Sequence, residues 1–357
     1  MSVHRIGVIP GDGVGREVVA EGRKALQAVS DASGGKFRFE AETLDWGSER
    51  YLKTGRMMPE DGLEQLERFD VLYLGAVGDP RVPDHVTLHG LLLPIKMGFD
   101  LYVGLRPVYL YEGVESALAR KTPGSIDIVL IRENTQGEYS DIGGIVGQGR
   151  QALALQGALF TYEGCERIIR YAFEYATAHG RKKVTSITKS NAQKFGMVFW
   201  DRVFKEVAAR FPEVETDSKL VDAAAMDVIR RPEGYDVVVA SNLFADIMSD
   251  LIAAVTGGMG LAPGGSFRPD RKKPGLFDPV HGSAFDIMGK GIANPIAAVL
   301  TAGLMLDYLG EPEGADRLRA AVTANLAARE VRTADLGGRA RTADVGDDVA
   351  RRIRAGR

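Results

Sequence analysis

Short apolar runs alternate with segments of helical periodicity over the first third of the chain. Residues 6–9 and 71–74 are continuous apolar runs typical of buried strands, and 37–44 alternates between apolar and polar residues. Apolar residues recur at helical spacing over 16–32, and 59–69 also has a helical pattern. The pattern predicts a β-α-β-α-β opening, and therefore a parallel sheet covered by helices.

The middle of the chain continues this alternation. Strand-like runs cover 126–131, 184–188 and 237–240, and 163–178 has the pattern of a helix. Glycine is so frequent over 137–149 that a helix there would be costly, so we predict a loop or a protruding arm.

Glycine and proline cluster again over 256–271, and we place a domain crossing nearby. Beyond it, the pattern predicts one clear helix over 295–309, with Pro295 at its first position. The chain has 357 residues, which exceeds the usual size of a single core and favours two domains.

Composition excludes several classes of function. The net charge of −3 leaves no general excess of basic residues for binding a nucleic-acid backbone. The single cysteine, Cys165, excludes an intrachain disulfide and an all-cysteine metal site. We find no signal peptide and no apolar stretch near the ~20 residues of a membrane span, so we expect a cytoplasmic protein.

Two aspartates, Asp246 and Asp250, lie four residues apart and would share one face of a helix. Like charges at this spacing repel unless something neutralises them, and a hard cation such as Mg²⁺ or Mn²⁺ takes oxygen ligands. Asp222, after a strand-like run, is a candidate third ligand. The spacing also fits a solvated acidic face with Asp222 as a helix N-cap, so both interpretations stay open.

Basic residues follow predicted strands. Arg106 and Arg132 stand at strand ends, where an arginine can bind a substrate carboxylate through two hydrogen bonds. Lys189, directly after the strand 184–188, is a candidate general base. Taken singly, each of these residues also fits an ordinary surface position.

Two glycine-rich segments follow strands. Residues 10–15 have the spacing G-x-G-x-G and lack the third glycine of the dinucleotide fingerprint, so a Rossmann site is not expected. Residues 278–295 carry His281, Asp286 and Asn294 in a turn of small residues that leads to a helix. That spacing suits contacts with a nucleotide, and it also fits a plain glycine-rich connection.

Taken together, these segments resemble the isocitrate/isopropylmalate dehydrogenase family of metal-dependent oxidative decarboxylases. The resemblance extends from residue 6 nearly to the C-terminus, and some motifs are more similar to the tartrate dehydrogenase and D-malate dehydrogenase branch. The family motifs lie at 6–13, 132–139, 246–250, 281–284 and 294–295, and those of the branch at 45–48, 83–85 and 188–193.

The resemblance implies an α/β, isopropylmalate-dehydrogenase-like fold of two domains, distinct from the Rossmann fold, with an open mixed sheet covered by helices. A large NAD-binding domain would combine 1–101 with 257–357, and 102–256 would form the small domain. The family's active site lies between the domains and borrows residues from a second subunit, here Lys189 and Asp222. A homodimer is therefore expected, with the glycine-rich segment as the arm that clasps it.

The resemblance also assigns roles to residues. Mg²⁺ or Mn²⁺ would be bound by Asp222, Asp246 and Asp250. Lys189 would act as the base, through water or a neighbour, and Tyr139 would protonate the carbon that loses CO₂. Substrate carboxylates would be bound by Lys96, Arg106 and Arg132. NAD is expected as the cofactor, because Asp286 with Ile287 matches the NAD pattern, and whether K⁺ assists is left open. The residues expected to contact NAD are Asn191, His281, Gly282, Ser283, Ala284, Asp286, Ile287 and Asn294.

Some positions depart from the family pattern. Lys96 stands where much of the family has arginine, which keeps the charge but loses the forked hydrogen bonding, and His89 replaces a tryptophan usual in the branch. We expect a D-malate or tartrate-like 2-hydroxy diacid as substrate. The alternative is 3-isopropylmalate or another malate derivative, for which 84–93 would have to form an apolar pocket. A non-catalytic regulatory subunit is a further alternative, against which the presence of Lys189 and Tyr139 argues.

Overall fold

The computed structural model describes residues 2–356, and within them it contains twelve strands and twelve α-helices. The strands are β1 (Ser2–Gly11), β2 (Phe37–Thr43), β3 (Val71–Ala76), β4 (Val103–Tyr109), β5 (Asp127–Glu133), β6 (Gly143–Val146), β7 (Leu153–Gln156), β8 (Lys183–Thr188), β9 (Glu215–Leu220), β10 (Val237–Ala240), β11 (Gly265–Phe267) and β12 (Gly275–Phe277). The helices are α1 (Gly15–Ala32), α2 (Ser48–Thr54), α3 (Gly62–Leu66), α4 (Asp84–Thr87), α5 (Leu93–Gly98), α6 (Tyr162–Ala178), α7 (Gly196–Ala208), α8 (Val221–Arg230), α9 (Asn242–Val255), α10 (Ile296–Leu309), α11 (Pro312–Ala328) and α12 (Thr342–Ala355).

The chain divides into two compact units. Unit 1 consists of Met1–Leu101, Arg106–Ile126 and Ala253–Arg357, and unit 2 of Tyr102–Leu105 and Asp127–Ile252. Residues 106–126 and 253–256, which the sequence analysis assigned to the small domain, therefore group with unit 1.

Unit 1 is built on strands in the order β2-β1-β3-β12-β11. Strand β1 runs parallel to β2 and β3, and β12 is parallel to β3 but antiparallel to β11, so the sheet is mixed. Every residue of β3 is buried, which explains its continuous apolar sequence. Helices α1, α10, α11 and α12 pack against one another, and α10 is almost entirely buried.

Unit 2 has the strand order β4-β5-β10-β8-β9, in which β5, β10, β8 and β9 run parallel. Helices α6 and α7 pack together and against these strands. Aromatic side chains of unit 2 pack against one another. The ring centroid of Phe173 lies 5.7 Å from that of Phe204 and 5.1 Å from that of Phe211, and Trp200 is fully buried.

Strands β6 and β7 form a separate antiparallel ribbon, with Gly143 opposite Gln156, and we call this ribbon the arm. The glycines of 137–149 led us to predict a loop or a protruding arm, and no strand was anticipated there. Glycine disfavours a helix, but it fits an extended strand whose hydrogen bonds a partner strand completes. All eight residues of β6 and β7 are exposed, and Ile145 and Leu155 are 77% and 71% exposed.

Three local predictions need correction. The helix predicted over 59–69 is limited to α3, and Arg106 lies inside β4 rather than at a strand end. The C-terminal part contains α11 and α12 in addition to α10. In α12 the large apolar residues are Val345, Val349 and Ile353, a stripe of one residue per turn that is too narrow to stand out among charged neighbours.

A short π-helical turn, Leu88–Leu92, connects α4 to α5. No helix within residues 2–356 combines the length and the apolar character needed to cross a membrane. The cytoplasmic location stays a prediction.

Candidate active site

The metal-ligand candidates Asp246 and Asp250 lie one turn apart on α9, as their spacing predicted. Helix α9 begins at Asn242, two residues after the end of β10, so it projects its side chains from the carboxyl end of a buried parallel strand. The Asp246 side chain is 35% exposed, and Asp250 is exposed. The helix thus presents two carboxylates, whose oxygen atoms suit a hard divalent cation.

Arg132 and Tyr139 both bind the carboxylate of Asp246. The Arg132 guanidinium donates from Nη1 to Oδ1, and the Tyr139 hydroxyl donates to Oδ2 at 2.8 Å. The guanidinium carbon also lies 5.2 Å from the centroid of the Tyr139 ring. Arg132 is only 5% exposed, so its charge is largely withdrawn from water and held beside its counter-ion. The fold therefore brings together a cation, a phenol and a carboxylate that the sequence analysis had singled out separately.

The buried amide of Asn242, at the start of α9, orients Arg132. Its Oδ1 accepts hydrogen bonds from Arg132 Nε at 3.0 Å and Nη2 at 2.7 Å, and its Nδ2 donates to the carbonyl of Gln136 at 3.1 Å. Sequence reasoning missed Asn242, whose only signal was its place four residues before Asp246. The side chain fixes the guanidinium plane, and with it the direction of the remaining N–H groups.

Two glutamates brace the segment that carries Arg132 and Tyr139. Glu138 accepts from the Ser241 hydroxyl at 2.8 Å and from the backbone N–H of Leu243 at 3.1 Å, at the N-terminus of α9. A carboxylate at that end of a helix is favoured by the helix dipole. Glu133 is buried, and burial raises the pKa of its carboxyl, which accepts from the backbone N–H and the hydroxyl of Thr135. Neither glutamate was singled out from the sequence.

Lys189 and Asp222 form an ion pair with each other. Lys189 follows β8 and Asp222 lies in the first turn of α8, and Nζ donates to Oδ1 at 2.6 Å. This hydrogen bond holds the pKa of the Asp222 carboxyl below its usual value. The N-cap of α8 is Leu220, so Asp222 is not the N-cap. Its side chain is 65% exposed and leaves room for a further ligand.

Asp222 lies on a different helix from Asp246 and Asp250. Across residues 2–356, no group of three or more His, Cys, Asp and Glu side chains is placed to hold a metal ion. A three-carboxylate site is thus not assembled from this part of a single chain.

The two remaining candidates for substrate binding, Lys96 and Arg106, belong to unit 1. Lys96 lies in α5 and is 4% exposed, and its carbonyl accepts from the backbone N–H of Leu101 at 2.8 Å. Arg106, within β4, is partly exposed.

The predicted cofactor residues of unit 1 lie mostly on a short loop, residues 281–289. Burial lowers the pKa of His281, so its imidazole is neutral at pH 7. Its Nδ1 lies 2.9 Å from the carbonyl of Gly282, and its buried Nε2 has no hydrogen-bond partner within residues 2–356. Ala284 has a positive φ of 39°, a conformation that is strained for a residue with a Cβ atom. Asp286 is exposed in the 3₁₀ turn Phe285–Ile287.

The side chain of Asn294 is already used within the fold. Its Nδ2 donates to Asp335 at 2.9 Å, and its Oδ1 accepts from the backbone N–H of Ile296 at 3.0 Å, at the start of α10. These bonds hold the side chain in place and use one of its two N–H groups and one of the two lone pairs of its oxygen. Asn191, the remaining predicted cofactor residue, lies in an exposed turn of unit 2.

Comparison with known proteins gives matches over nearly the whole chain. Residues 5–349 match the isocitrate/isopropylmalate dehydrogenase family. A probable tartrate dehydrogenase/decarboxylase of Agrobacterium vitis is 48% identical over 354 residues, covering 99% of this chain and 98% of the relative. A D-malate dehydrogenase (decarboxylating) of Escherichia coli (strain K12) is 47% identical over 362 residues, covering 99% of each.

Among solved structures, an isocitrate dehydrogenase from Methylococcus capsulatus has a TM-score of 0.88 at 32% identity, covering 98% of this chain and 99% of that chain. These matches confirm the resemblance and the α/β fold class that the sequence predicted.

Proposed function

The chain belongs to the isocitrate/isopropylmalate dehydrogenase family, and from that premise we propose that it oxidises a D-malate or tartrate-like 2-hydroxy diacid with NAD and a divalent metal ion. The β-carboxylate would leave as CO₂. Family membership makes the chain an oxidoreductase. The observation that carries the proposal is the meeting of Arg132 and Tyr139 at Asp246, one turn from Asp250.

The donor set fits Mg²⁺ or Mn²⁺. Asp246 and Asp250 would hold the ion, and Asp222 would complete the set from the second subunit, which agrees with its separate helix and its exposed carboxylate. When bound, such an ion supplies Lewis acidity at the substrate's oxygen atoms. All three residues offer hard oxygen ligands and none offers a soft one.

The chain's own residues would move the protons. Lys189, in its uncharged form, would take the proton of the substrate hydroxyl, and the ammonium ion that forms would pair with Asp222, 2.6 Å away. Arg132 would bind the carboxylate that leaves, with its guanidinium plane fixed by Asn242. The Tyr139 hydroxyl would protonate the carbon from which CO₂ departs.

The 281–289 loop fits a nucleotide. The Nε2 of His281 is buried without a partner within residues 2–356, as expected of a group that a ligand satisfies, and the exposed carboxylate of Asp286 can accept from ribose hydroxyls while repelling a 2′-phosphate. NAD, when bound, accepts the hydride.

The arm supports a homodimer. Two-stranded ribbons are marginally stable alone in water, and this one exposes Ile145, Val146, Leu153 and Leu155 at 71–77%. Large exposed apolar side chains at this density mark an interaction surface. A second copy of the chain would cover them and would bring its Lys189 to the site.

Much of the apolar surface of 84–98 is not available to a branched substrate such as 3-isopropylmalate. Leu91, Leu93 and Ile95 are 0–5% exposed, and Leu91 and Ile95 belong to the apolar core of unit 1 around Trp46 and Leu72. These three side chains are therefore committed to packing, which leaves the partly exposed Leu88 and Leu92 as the leucines of this segment that a branched apolar group could contact.

The test is NADH formation by the purified protein with Mn²⁺ at equal concentrations of D-malate, tartrate and 3-isopropylmalate. We expect turnover of D-malate with pyruvate as product, and loss of activity in EDTA that Mn²⁺ restores. Preference for 3-isopropylmalate would contradict the substrate proposal, and activity that survives EDTA would contradict the metal proposal. Lys189→Ala should abolish oxidation, whereas Lys182→Ala, at an exposed lysine before the opposite end of β8, should leave it unchanged.

A further inference from the structure

The glycine-rich segment 11–15, between β1 and α1, has no part in the chemistry proposed above. We propose that this segment is a seat that holds the 281–289 loop in shape, with Asp12 as the positioning residue, and that it does not cradle a phosphate itself. The link to cofactor binding rests on the proposed function, whereas the seat rests on contacts within unit 1.

Three of the five backbone N–H groups of the segment are already used. Asp12 N–H donates to the carbonyl of Ala76 at 2.9 Å, Val14 N–H to that of Ser283 at 2.8 Å, and Gly15 N–H to that of Asp12 at 2.9 Å. A phosphate cradle needs several such groups free and pointing at the ligand. Here they bind protein carbonyls instead, and one of those carbonyls belongs to the 281–289 loop.

The seat also fits the loop sterically. A Cβ atom at Gly13 would lie 1.9 Å from the carbonyl oxygen of Ser283, so only glycine allows the two backbones to approach this closely. At the other end of the loop, the backbone N–H of Gly289 donates to Glu17 Oε1 at 2.6 Å, in the first turn of α1. The loop is thus held near one end by the segment 11–15 and at the other by the first turn of α1.

Asp12 fixes the seat. Its carboxylate is 5% exposed and accepts from the backbone N–H of Ser48 at 2.8 Å, the hydroxyl of Ser48 at 2.7 Å, and the backbone N–H of Gly78 at 2.9 Å. Strands β1, β2 and β3 are parallel, so the segments after them emerge at one edge of the sheet. The buried carboxylate of Asp12 therefore links the three segments that follow these strands.

The loop needs this support because Ala284 has a positive φ. Strained conformations of this kind persist only where the surroundings hold them. Loosening the seat should let the loop relax, and a nucleotide would then have to reorder it on binding. We therefore expect the nucleotide to bind more weakly. Once the complex has formed, its turnover rate should change little.

The test replaces Asp12 by asparagine, which keeps the shape but turns an NH₂ group towards N–H donors. In the full-length protein we expect the Kd for NADH, measured by fluorescence titration, to rise about tenfold, because a buried hydrogen bond to a charged group is lost. The KM for NAD should rise in parallel, with little change in kcat or in the KM for the hydroxy diacid. Amide exchange of residues 283–289 in the cofactor-free protein should become faster.

Asp348→Asn is the matched control. Asp348 is a buried carboxylate of unit 1, 8% exposed and bonded to Asn325 and Arg352, and it contacts neither the seat nor the loop. It should leave the affinity for NADH and the exchange of 283–289 unchanged. If Asp12→Asn fails to fold, Ser48→Ala, which removes one of the three hydrogen bonds, should give a smaller shift in the same direction.

The outcomes are separable. Unchanged affinity and unchanged exchange in the Asp12 and Ser48 variants would overturn the seat, as would equal effects in Asp348→Asn. Absence of NADH binding by the unmodified protein would overturn the cofactor proposal, and the exchange of 283–289 would still decide the seat.

Discussion

Removing the side chain of Asn242 should destabilise unit 2 strongly. Asn242→Ala deletes two hydrogen bonds to the guanidinium of Arg132 and one to the carbonyl of Gln136. Asn242 is 1% exposed and Arg132 is 5% exposed, so water cannot readily replace the lost partner. Because hydrogen bonds to charged groups contribute about 1.5–3 kcal/mol, we expect the free energy of unfolding to fall by about 3 kcal/mol.

The two tryptophans allow this loss to be located. Trp46 lies in unit 1 and Trp200 is fully buried in unit 2, so a Trp46→Phe background leaves a fluorescence signal from unit 2 alone. With a urea dependence of about 2 kcal/mol per molar, the midpoint should fall by about 1.5 M. Asn191→Ala, at an exposed asparagine of the same unit, is the control and should not move it. A shift below about 0.5 M for Asn242→Ala would refute the reasoning that this amide holds Arg132.

Three further predictions concern other parts of the chain. Burial raises the pKa of the Cys165 thiol to about 12. The thiol should therefore not react with a thiol reagent at pH 8 until urea unfolds unit 2. Rapid reaction in the native protein would contradict its burial. Hydrogen bonds from Lys219 and Arg231 lower the pKa of Asp227 from 3.8 to about 2; this stabilisation is present above the unfolded value and is lost as the pH falls through 2. The free energy of unfolding should therefore fall less steeply between pH 4 and 2 in Asp227→Asn than in the unmodified protein. An equal pH dependence of the two proteins would contradict the ion pairs. Leu155→Asp in the arm should shift the protein from dimer to monomer in light scattering, whereas Leu52→Asp, at an exposed leucine of unit 1, should not; an unshifted Leu155 variant would contradict the dimer role of the arm.

Predictions from sequence succeeded where the signal was local. The spacing of Asp246 and Asp250 is a property of one helix, and α9 carries them as expected. The continuous apolar run of β3 and the helical spacing of α1 likewise reflect burial within single elements. Such periodicity depends on the few residues nearest in sequence, so the chain displays it directly.

Contacts between distant residues were not accessible in this way. Asn242 and Arg132 are 110 positions apart, and no periodicity links an amide at a helix start to a guanidinium at a strand end. The pairing of β6 with β7 was missed for a related reason. A high frequency of glycine indicates that a helix is disfavoured, but it does not indicate which strand the segment pairs with. The roles given to the site residues came from the family resemblance and remain predictions.

The buried carboxylate of Asp12 has a consequence for how the chain can change length. Ser48 follows β2 by a short connection, so an insertion between Thr43 and Ser48 would displace both of its hydrogen bonds to Asp12. Gly34 and Gly35, in the turn between α1 and β2, have open space where a side chain would project. A peptide tag or an extra domain inserted at 34–35 should therefore be tolerated. The edge of the sheet that carries Asp12 should tolerate substitutions of surface residues but no insertions.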